Sequence, residues 1–383
     1  MRSVRAEVLI VGAGPAGCAA GIELARAGVK VTVVDRARFP RPKTCGDALS
    51  NHAVKIIGEL GAGAQLDAAA HADVLGSAAV FPDDSRIERS YGVHPGRIVG
   101  RLDLDDLLRR ALERAGATVI EGVNVRRLRM EDGRVRGAES DDTHWTANAI
   151  IAADGAGSIA WTSVGESTPR GAGLAVSATA YYRDMAPLPT PGFGEHYFER
   201  ELPCGYSWIF PPVDGVSNVG VYQRADTYRE AGVPLAELMR GFLERHHARF
   251  ANATRVGVVR SWSLPLAGLH RHHDAAGLLV CGDAGRYVDP LTGEGIFQAL
   301  HTGRLAAQFA QEALARGGVD AAIVRRFRFA CARSVDLPSA VRAGIQTAMR
   351  PIVEHSLYRS RAVRAVLSWG FGSGSLELTK QIP

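Results

Sequence analysis

Lysine is nearly missing from this 383-residue chain: of 45 basic residues, only Lys30, Lys43, Lys55 and Lys380 are lysines. Such an excess of arginine reflects coding bias more readily than phosphate recognition. With a formal net charge of only +5, the chain lacks the concentrated basic surface that nucleic acid requires. The cysteines, Cys18, Cys45, Cys204, Cys281 and Cys331, are odd in number and scattered, with no Cys-x-x-Cys pair. That excludes a disulfide framework or a zinc ribbon and fits a reducing compartment. No apolar run approaches the roughly 20 residues of a membrane span. An apolar stretch does follow Arg2 and Arg5, but Gly12, Gly14, Pro15 and Gly17 break it and spoil a signal-peptide reading. A cytoplasmic protein that binds no nucleic acid is expected. Repeats and low-complexity tracts are also missing. With 46% hydrophobic and 22% charged residues, the composition is that of a globular protein rather than a collagen, coiled coil or disordered chain.

What is present begins with a β-turn-α-β unit. Glu7–Val11 reads as a buried parallel strand, Gly12–Gly17 (GAGPAG) as a turn, Cys18–Ala27 as a helix closed by Gly28, and Val31–Val34 as a second strand ending at Asp35. Leu104, Leu107, Leu108, Ala111 and Leu112 fall on one face of a helix over Arg101–Ala115. Thr118–Ile120 and Ala149–Ala153 read as strands, and Asp132-Gly133 as a hairpin turn. From about residue 170 to 275, alternating segments such as Ala175–Tyr181 and Val216–Tyr222 predict an antiparallel sheet. Leu278–Cys281 returns to a short buried strand, followed by a long helix over Gly295–Ala315.

Two motifs carry chemistry. Gly12-x-Gly14-x-x-Gly17 lies between a strand and a helix, with an acid at the end of the next strand. In that context the glycines let the backbone approach a pyrophosphate, the helix N-terminus offers free N–H groups, and Asp35 accepts from a ribose hydroxyl. The second motif, Gly282-Asp283-Ala-Gly285 with Asp289–Ile296 (DPLTGEGI), also follows a strand and opens a helix. A second set of helix-terminal amides can therefore face the same long cofactor. Taken alone, this second motif fits an acidic turn and helix cap equally well.

GAGPAG, Ala153–Gly155 (ADG) and GDAGRYVDPLTGEGI together resemble the flavoprotein family of aromatic hydroxylases, flavin halogenases and geranylgeranyl reductases. The resemblance covers Val8 to about Ala315 and implies bound FAD. It assigns cofactor contacts to Gly12, Ala13, Gly14, Pro15, Ala16, Gly17, Asp35, Arg36, Arg101, Val125, Asp154, Gly282, Asp283, Gly293, Glu294, Gly295 and Ile296. Lys43-Thr44-Cys45-Gly46 is similar to the Lys-x-Cys-Gly segment that geranylgeranyl reductases hold beside the flavin, which adds Cys45 and Gly46. Pro203-x-x-Tyr206-x-Trp208-x-Phe210-Pro211 is similar to the signature that shapes their substrate cavity. Asp47 and Pro212 depart from that branch, whose members often carry Gly and Lys at these places. Arg286 departs from the hydroxylases, which usually have His there.

The expected architecture is α/β: a Rossmann-type FAD-binding domain (1–75, 97–168 and 276–316), an antiparallel β-sheet substrate domain (76–96 and 169–275), and a helical C-terminal cap (317–383). The expected reaction is reduction of carbon–carbon double bonds in a prenyl lipid or related hydrophobic metabolite. Cys45, Tyr206 and Trp208 are the catalytic candidates. Cys45 is the proposed proton donor, since a free thiol with a pKa of about 8.5 is protonated near neutrality; a small buried packing residue is the plainer reading. Tyr206 and Trp208 share one face of a strand, either as core or as the wall of an apolar tunnel. An FAD-dependent monooxygenase or related tailoring enzyme is the alternative, and a flavin-binding module without turnover is a third reading. No separate NAD(P)H fingerprint is visible, so NAD(P)H or ferredoxin is the expected electron donor.

Histidines 270, 272 and 273 read as an exposed turn without metal-ligand spacing, and no metal is expected. His246 and His247 end an amphipathic helix and suit its C-terminal dipole. Residues 318–370 carry arginines 325, 326, 328, 333, 342, 350, 359, 361 and 364 interleaved with apolar residues. That pattern suits either peripheral contact with an anionic membrane or a carrier protein, or a solvated helical cap. Pro338 and Pro351 are expected to divide it into shorter helices.

Overall fold

The computed structural model describes residues 2–268 and 274–372. Histidines 270, 272 and 273 lie outside the described residues. The first strand, Arg2–Val11, pairs in parallel with Val31–Asp35 on one side and Thr143–Ala152 on the other. Thr118–Glu121 extends the sheet beyond Val31–Asp35, and Leu278–Val280 joins Thr143–Ala152, both in parallel. Their inner residues form near-continuous apolar runs because both faces are covered. Helices Pro15–Arg26, Arg101–Arg114 and Ile296–Ala315 pack on one face, where Ile10, Ile22, Leu108, Leu112 and Leu300 are all buried. The hairpin of Val125–Glu131 and Arg134–Ser140, turning at Asp132-Gly133, contributes Val125, Leu128 and Val135 to the core on the other face.

A second seven-stranded sheet runs in the spatial order Thr254–Pro265, Leu174–Arg183, Val216–Arg224, Gly205–Ile209, Phe193–Tyr197, Gly76–Val80, Arg86–Ser90. It is antiparallel except for one pair: Phe193–Tyr197 runs parallel to Gly76–Val80. The expectation of a purely antiparallel sheet is corrected there, because this edge is recruited from a distant insertion rather than by a hairpin. Helix Leu235–Arg245 covers one face through Leu238, Met239 and Phe242. The opposite face carries Tyr206, Trp208, Phe210 and Tyr222.

The C-terminal region is helical, but Pro338 does not divide it. Ala321–Cys331 runs through a π-turn at Ala332–Asp336 into Leu337–Glu354, with Pro338 in the first turn of the latter and Pro351 in its last. Proline lacks an N–H and crowds the carbonyl four residues back, and a π-turn placed just before it relieves both. Several of the arginines pair within the chain, while Arg325, Arg326, Arg333, Arg359 and Arg361 are exposed. Arg342 meets Asp289 at 2.5 Å, Arg350 meets Glu230 at 2.9 Å, and Arg359 meets Asp83 at 2.9 Å. Arg326 pairs with Glu312, and Arg364 donates to the Arg86 carbonyl. These bonds fasten the region to the body as a cap. Among the described residues, no helix is long and apolar enough to cross a membrane.

Candidate active site

The two sheets and the cap enclose one cavity of about 1350 Å³. Sites for a single small ligand typically span roughly 300–1,000 Å³, so there is room for a cofactor and a substrate together. One half is built from turns. Gly12 has φ +102, and a side chain there would strike the Ala153 carbonyl. At Gly17, a Cβ would lie 1.8 Å from the Gly12 carbonyl oxygen. Helices Pro15–Arg26 and Ile296–Ala315 both begin at this half of the cavity without a side-chain N-cap bond. Their first N–H groups are therefore available to an anionic or carbonyl ligand. Asp35 lies across from them and accepts from the backbone N–H groups of Ala13 and Ala37, both at 2.8 Å. A carboxylate has further lone pairs for a ribose hydroxyl. This cradle suits the pyrophosphate and ribose of FAD, with Gly14, Pro15, Ala16, Asp35, Arg36, Val125 and Asp283 on the lining.

Arg101 and Arg41 extend the lining toward the middle of the cavity. The Arg101 guanidinium grips Asp105 through two 2.8 Å bonds and also interacts with the Cys45 thiol. Asp105 raises the Arg101 pKa further against the opposing effect of burial. Lys43 Nζ sits 3.8 Å from the centre of the Trp262 ring. Burial, and then the neighbouring Arg101 charge, bring Lys43 down to about 8.

The other half is aromatic. Strand alternation puts Tyr206, Trp208 and Phe210 on one face, and Asn218, Gly220 and Tyr222 of the adjacent strand beside them. His196 packs edge-on to Tyr206 and Phe210, and burial pushes it down to about 4, so it is neutral. The Tyr206 hydroxyl donates to the Thr292 carbonyl and that of Tyr222 to the Pro290 carbonyl. Both rings thereby anchor the DPLTGEGI loop. Because its hydroxyl is committed, Tyr206 contributes a wall to the cavity rather than a free proton.

Cys45, Gly46, Tyr206 and Trp208, and all the expected cofactor contacts except three, line this one cavity. Ala13, Gly17 and Gly282 do not. Gly17 packs against the Gly12 carbonyl, and a Cβ at Gly282, whose φ is +63, would come within 2.9 Å of Ala16. These glycines shape the turns from behind. Asp154 lines the cavity, yet its carboxyl is bonded to Ser158 Oγ at 2.6 Å and the Ile159 N–H at 2.8 Å.

Asn218 was not singled out from the sequence. Its Nδ2 donates to the Cys45 carbonyl at 2.9 Å and to Asp47 Oδ2 at 2.8 Å, and its Oδ1 accepts from Trp208 Nε1 at 2.9 Å. One amide thus ties the Cys45 segment to the aromatic wall. The period-two alternation Asn218, Gly220, Tyr222 was the only available signal. Asp47, the departure noted above, occupies the left-handed region at φ +63 and also accepts from the Tyr181 hydroxyl at 2.6 Å. Burial pushes Asp47 up to about 6, against those two hydrogen bonds. An acid raised in the folded state makes its stabilising contribution below its unfolded pKa and loses it as pH rises through the folded value. Asp47→Asn is therefore expected to gain stability over wild type as pH rises through about 6, by ~1–3 kcal/mol at pH 8. Denaturant unfolding at pH 5 and pH 8 checks this, and a difference independent of pH would exclude it.

The sequence matches the family of FAD-binding domains over residues 5–312. It is 34% identical over 313 residues to a menaquinone reductase of Mycobacterium tuberculosis, covering 79% of this chain and 76% of that protein. It is 32% identical over 348 residues to digeranylgeranylglycerophospholipid reductase 1 of Methanopyrus kandleri, covering 86% and 89%. The chain belongs to the geranylgeranyl reductase family of FAD-dependent oxidoreductases. The fold agrees: a geranylgeranyl bacteriochlorophyll reductase-like protein of Thermoplasma acidophilum superposes with a TM-score of 0.79 at 21% identity, over 97% of this chain and 98% of that one. In this geranylgeranyl reductase family member, the turn-built half has the glycine turns and free helix N-termini that suit FAD.

Proposed function

We propose that the protein reduces carbon–carbon double bonds of a prenyl lipid or a closely related hydrophobic metabolite. The observation that carries this reading is the aromatic wall of Tyr206, Trp208, Phe210 and Tyr222, which shares one cavity with the FAD cradle. Such a wall suits a long apolar chain by burying its surface. The names of the two relatives, which describe reductases of menaquinone and of a digeranylgeranylglycerophospholipid, support an isoprenoid chain as the group accepted. FAD, which the turn-built half would hold, would supply the hydride chemistry, with NAD(P)H or ferredoxin as the expected electron donor. The chain's own residues hold the alkene against the cofactor and exclude water. Cys45 and Gly46 lie beside Trp208 and Phe210, and Asn218 bonds both the Cys45 carbonyl and Trp208 Nε1.

The test is the mass of the product. Holoenzyme reduced with dithionite is given a geranylgeranylated glycerophospholipid, which carries no quinone ring to be reduced instead, with and without oxygen. The expected product gains a pair of hydrogens per bond reduced and no oxygen atom. Oxygen insertion, seen only in air, would instead make the protein a monooxygenase and sink the reductase reading.

A further inference from the structure

Between residues 321 and 353 the chain has six arginines and a single acid, Asp336, and that acid is buried. Arg326, Arg328, Arg342 and Arg350 each meet a carboxylate elsewhere in the chain, on Glu312, Asp274, Asp289 and Glu230. Arg325 and Arg333 remain exposed. The surface of this part of the cap is therefore cationic, with no exposed acid of its own.

Large apolar side chains stand exposed on the same part. Phe329 is 71% exposed, Leu337 and Val341 52% each, and Ile345 39%. Helix Ala321–Cys331 continues through the π-turn into helix Leu337–Glu354, and side chains four apart on a continuous helix stand one above the other. Phe329, Arg333, Leu337, Val341 and Ile345 follow that spacing. They form one stripe, roughly 24 Å long at about 1.5 Å per residue. Gly344 and Ala348, also exposed, broaden it without adding a polar group. Single apolar residues are ordinary on a protein surface, whereas a continuous stripe rimmed by charge marks a contact site. The stripe ends at the cavity: Ile345 is exposed to solvent and at the same time lines the cavity, as does Arg342 on the same helix. Apolar surface therefore leads from the outside of the cap to the cavity that Tyr206 and Tyr222 line.

We propose that this face of the cap docks on an anionic lipid bilayer. Phe329, Leu337, Val341 and Ile345 enter the boundary between head groups and acyl chains, while Arg325 and Arg333 meet the lipid phosphates. A second copy of the chain is a poorer occupant. Paired antiparallel along the stripe, two copies would set Arg333 against Val341, and the stripe holds no acid to receive that charge. The docking goes beyond the prenyl-lipid reading and rests on it in one respect only: a substrate dissolved in the bilayer would reach the cavity past Ile345 without crossing water.

Co-sedimentation of the holoenzyme with vesicles tests the docking without any turnover. One set of vesicles is equal parts phosphatidylglycerol and phosphatidylcholine, the other phosphatidylcholine alone. Wild type should prefer the anionic set and release from it at high salt. R325Q/R333Q should weaken that binding about 25-fold, at roughly fivefold for each arginine. L337S/V341S should weaken binding to both sets at least about 10-fold. Both variants should keep the FAD content and thermal midpoint of the wild type; should either unfold, the vesicle preference and salt release of the wild type decide. A wild type that stays in the supernatant overturns the docking, as does equal binding to both sets that R325Q/R333Q leaves undiminished. So does a dimer in solution that L337S/V341S converts to monomer, which would make the stripe a contact between copies. Docking as expected, with no reduction of a geranylgeranylated glycerophospholipid in the same vesicles, would uphold the docking and remove the prenyl-lipid reading.

Discussion

Gly17→Ala is expected to abolish FAD retention. A Cβ at this position falls 1.8 Å from the Gly12 carbonyl oxygen, 3.0 Å from its carbon and 3.3 Å from Ile10 Cγ2. The first two are backbone atoms of the turn itself and cannot swing aside as a side chain would. Gly17 is not in the left-handed region, so the obstacle is space rather than backbone strain. To admit one methyl group, helix Pro15–Arg26 must move off strand Arg2–Val11, and the uncapped N–H groups that face the pyrophosphate move with it. Overpacking of a close contact costs about 1–3 kcal/mol and at times more, and displacement of the anion site adds to the loss of cofactor. FAD content after gel filtration and the thermal midpoint measure both effects. A variant with full FAD and an unchanged midpoint would show that the turn can yield.

Asp289→Ala should be as damaging from the other side of the cofactor site. The Asp289 side chain is fully buried and serves three donors: two loop N–H groups at 2.9 Å and Arg342 at 2.5 Å. Removing it orphans all three at once. Arg342 is 31% exposed, so losing its partner costs less than the ~3–5 kcal/mol of a fully buried pair, and the orphaned N–H groups add about 1–3 kcal/mol. The expected result is a lower thermal midpoint together with weak FAD binding, because Gly293–Ile296 lose their anchor. Asp289→Asn keeps an oxygen for the N–H groups and removes only the charge facing Arg342, so it should fall between alanine and wild type. Equal effects of the two substitutions would mean that the ion pair with Arg342, and not the loop bonds, holds this segment.

Short-range patterns explain why so much of the cofactor half was readable in advance. A glycine fingerprint acts through its own strand and helix, within some twenty residues, and the physics that makes it work is confined to that stretch. The same holds for the helix at Arg101 and the hairpin at Asp132-Gly133. The aromatic stripe was visible as alternation, but alternation fits a core strand and a cavity wall equally well, and only the position of the opposite sheet distinguishes them. Asn218 and Asp47 are 171 residues apart in sequence. No periodicity connects them, and their bond exists because two separate segments arrive at one place. The arginines of the cap illustrate the converse. Their charge fitted an outside partner or a solvated cap equally well, and only the structure shows that Asp289, Glu230 and Asp83 pair with three of them from within the chain.

By itself, then, the sequence determined the α/β cofactor domain, the placing of the FAD-binding turns and the existence of an aromatic strand, because each depends on residues close together along the chain. The tertiary structure alone decided that the aromatic face lines the same cavity as the glycine turns, that the Tyr206 hydroxyl is spent on the Thr292 carbonyl, and that Asn218 ties the Cys45 carbonyl to Trp208. Those are matters of what surrounds a side chain in space, and the surroundings are assembled from the whole length of the chain.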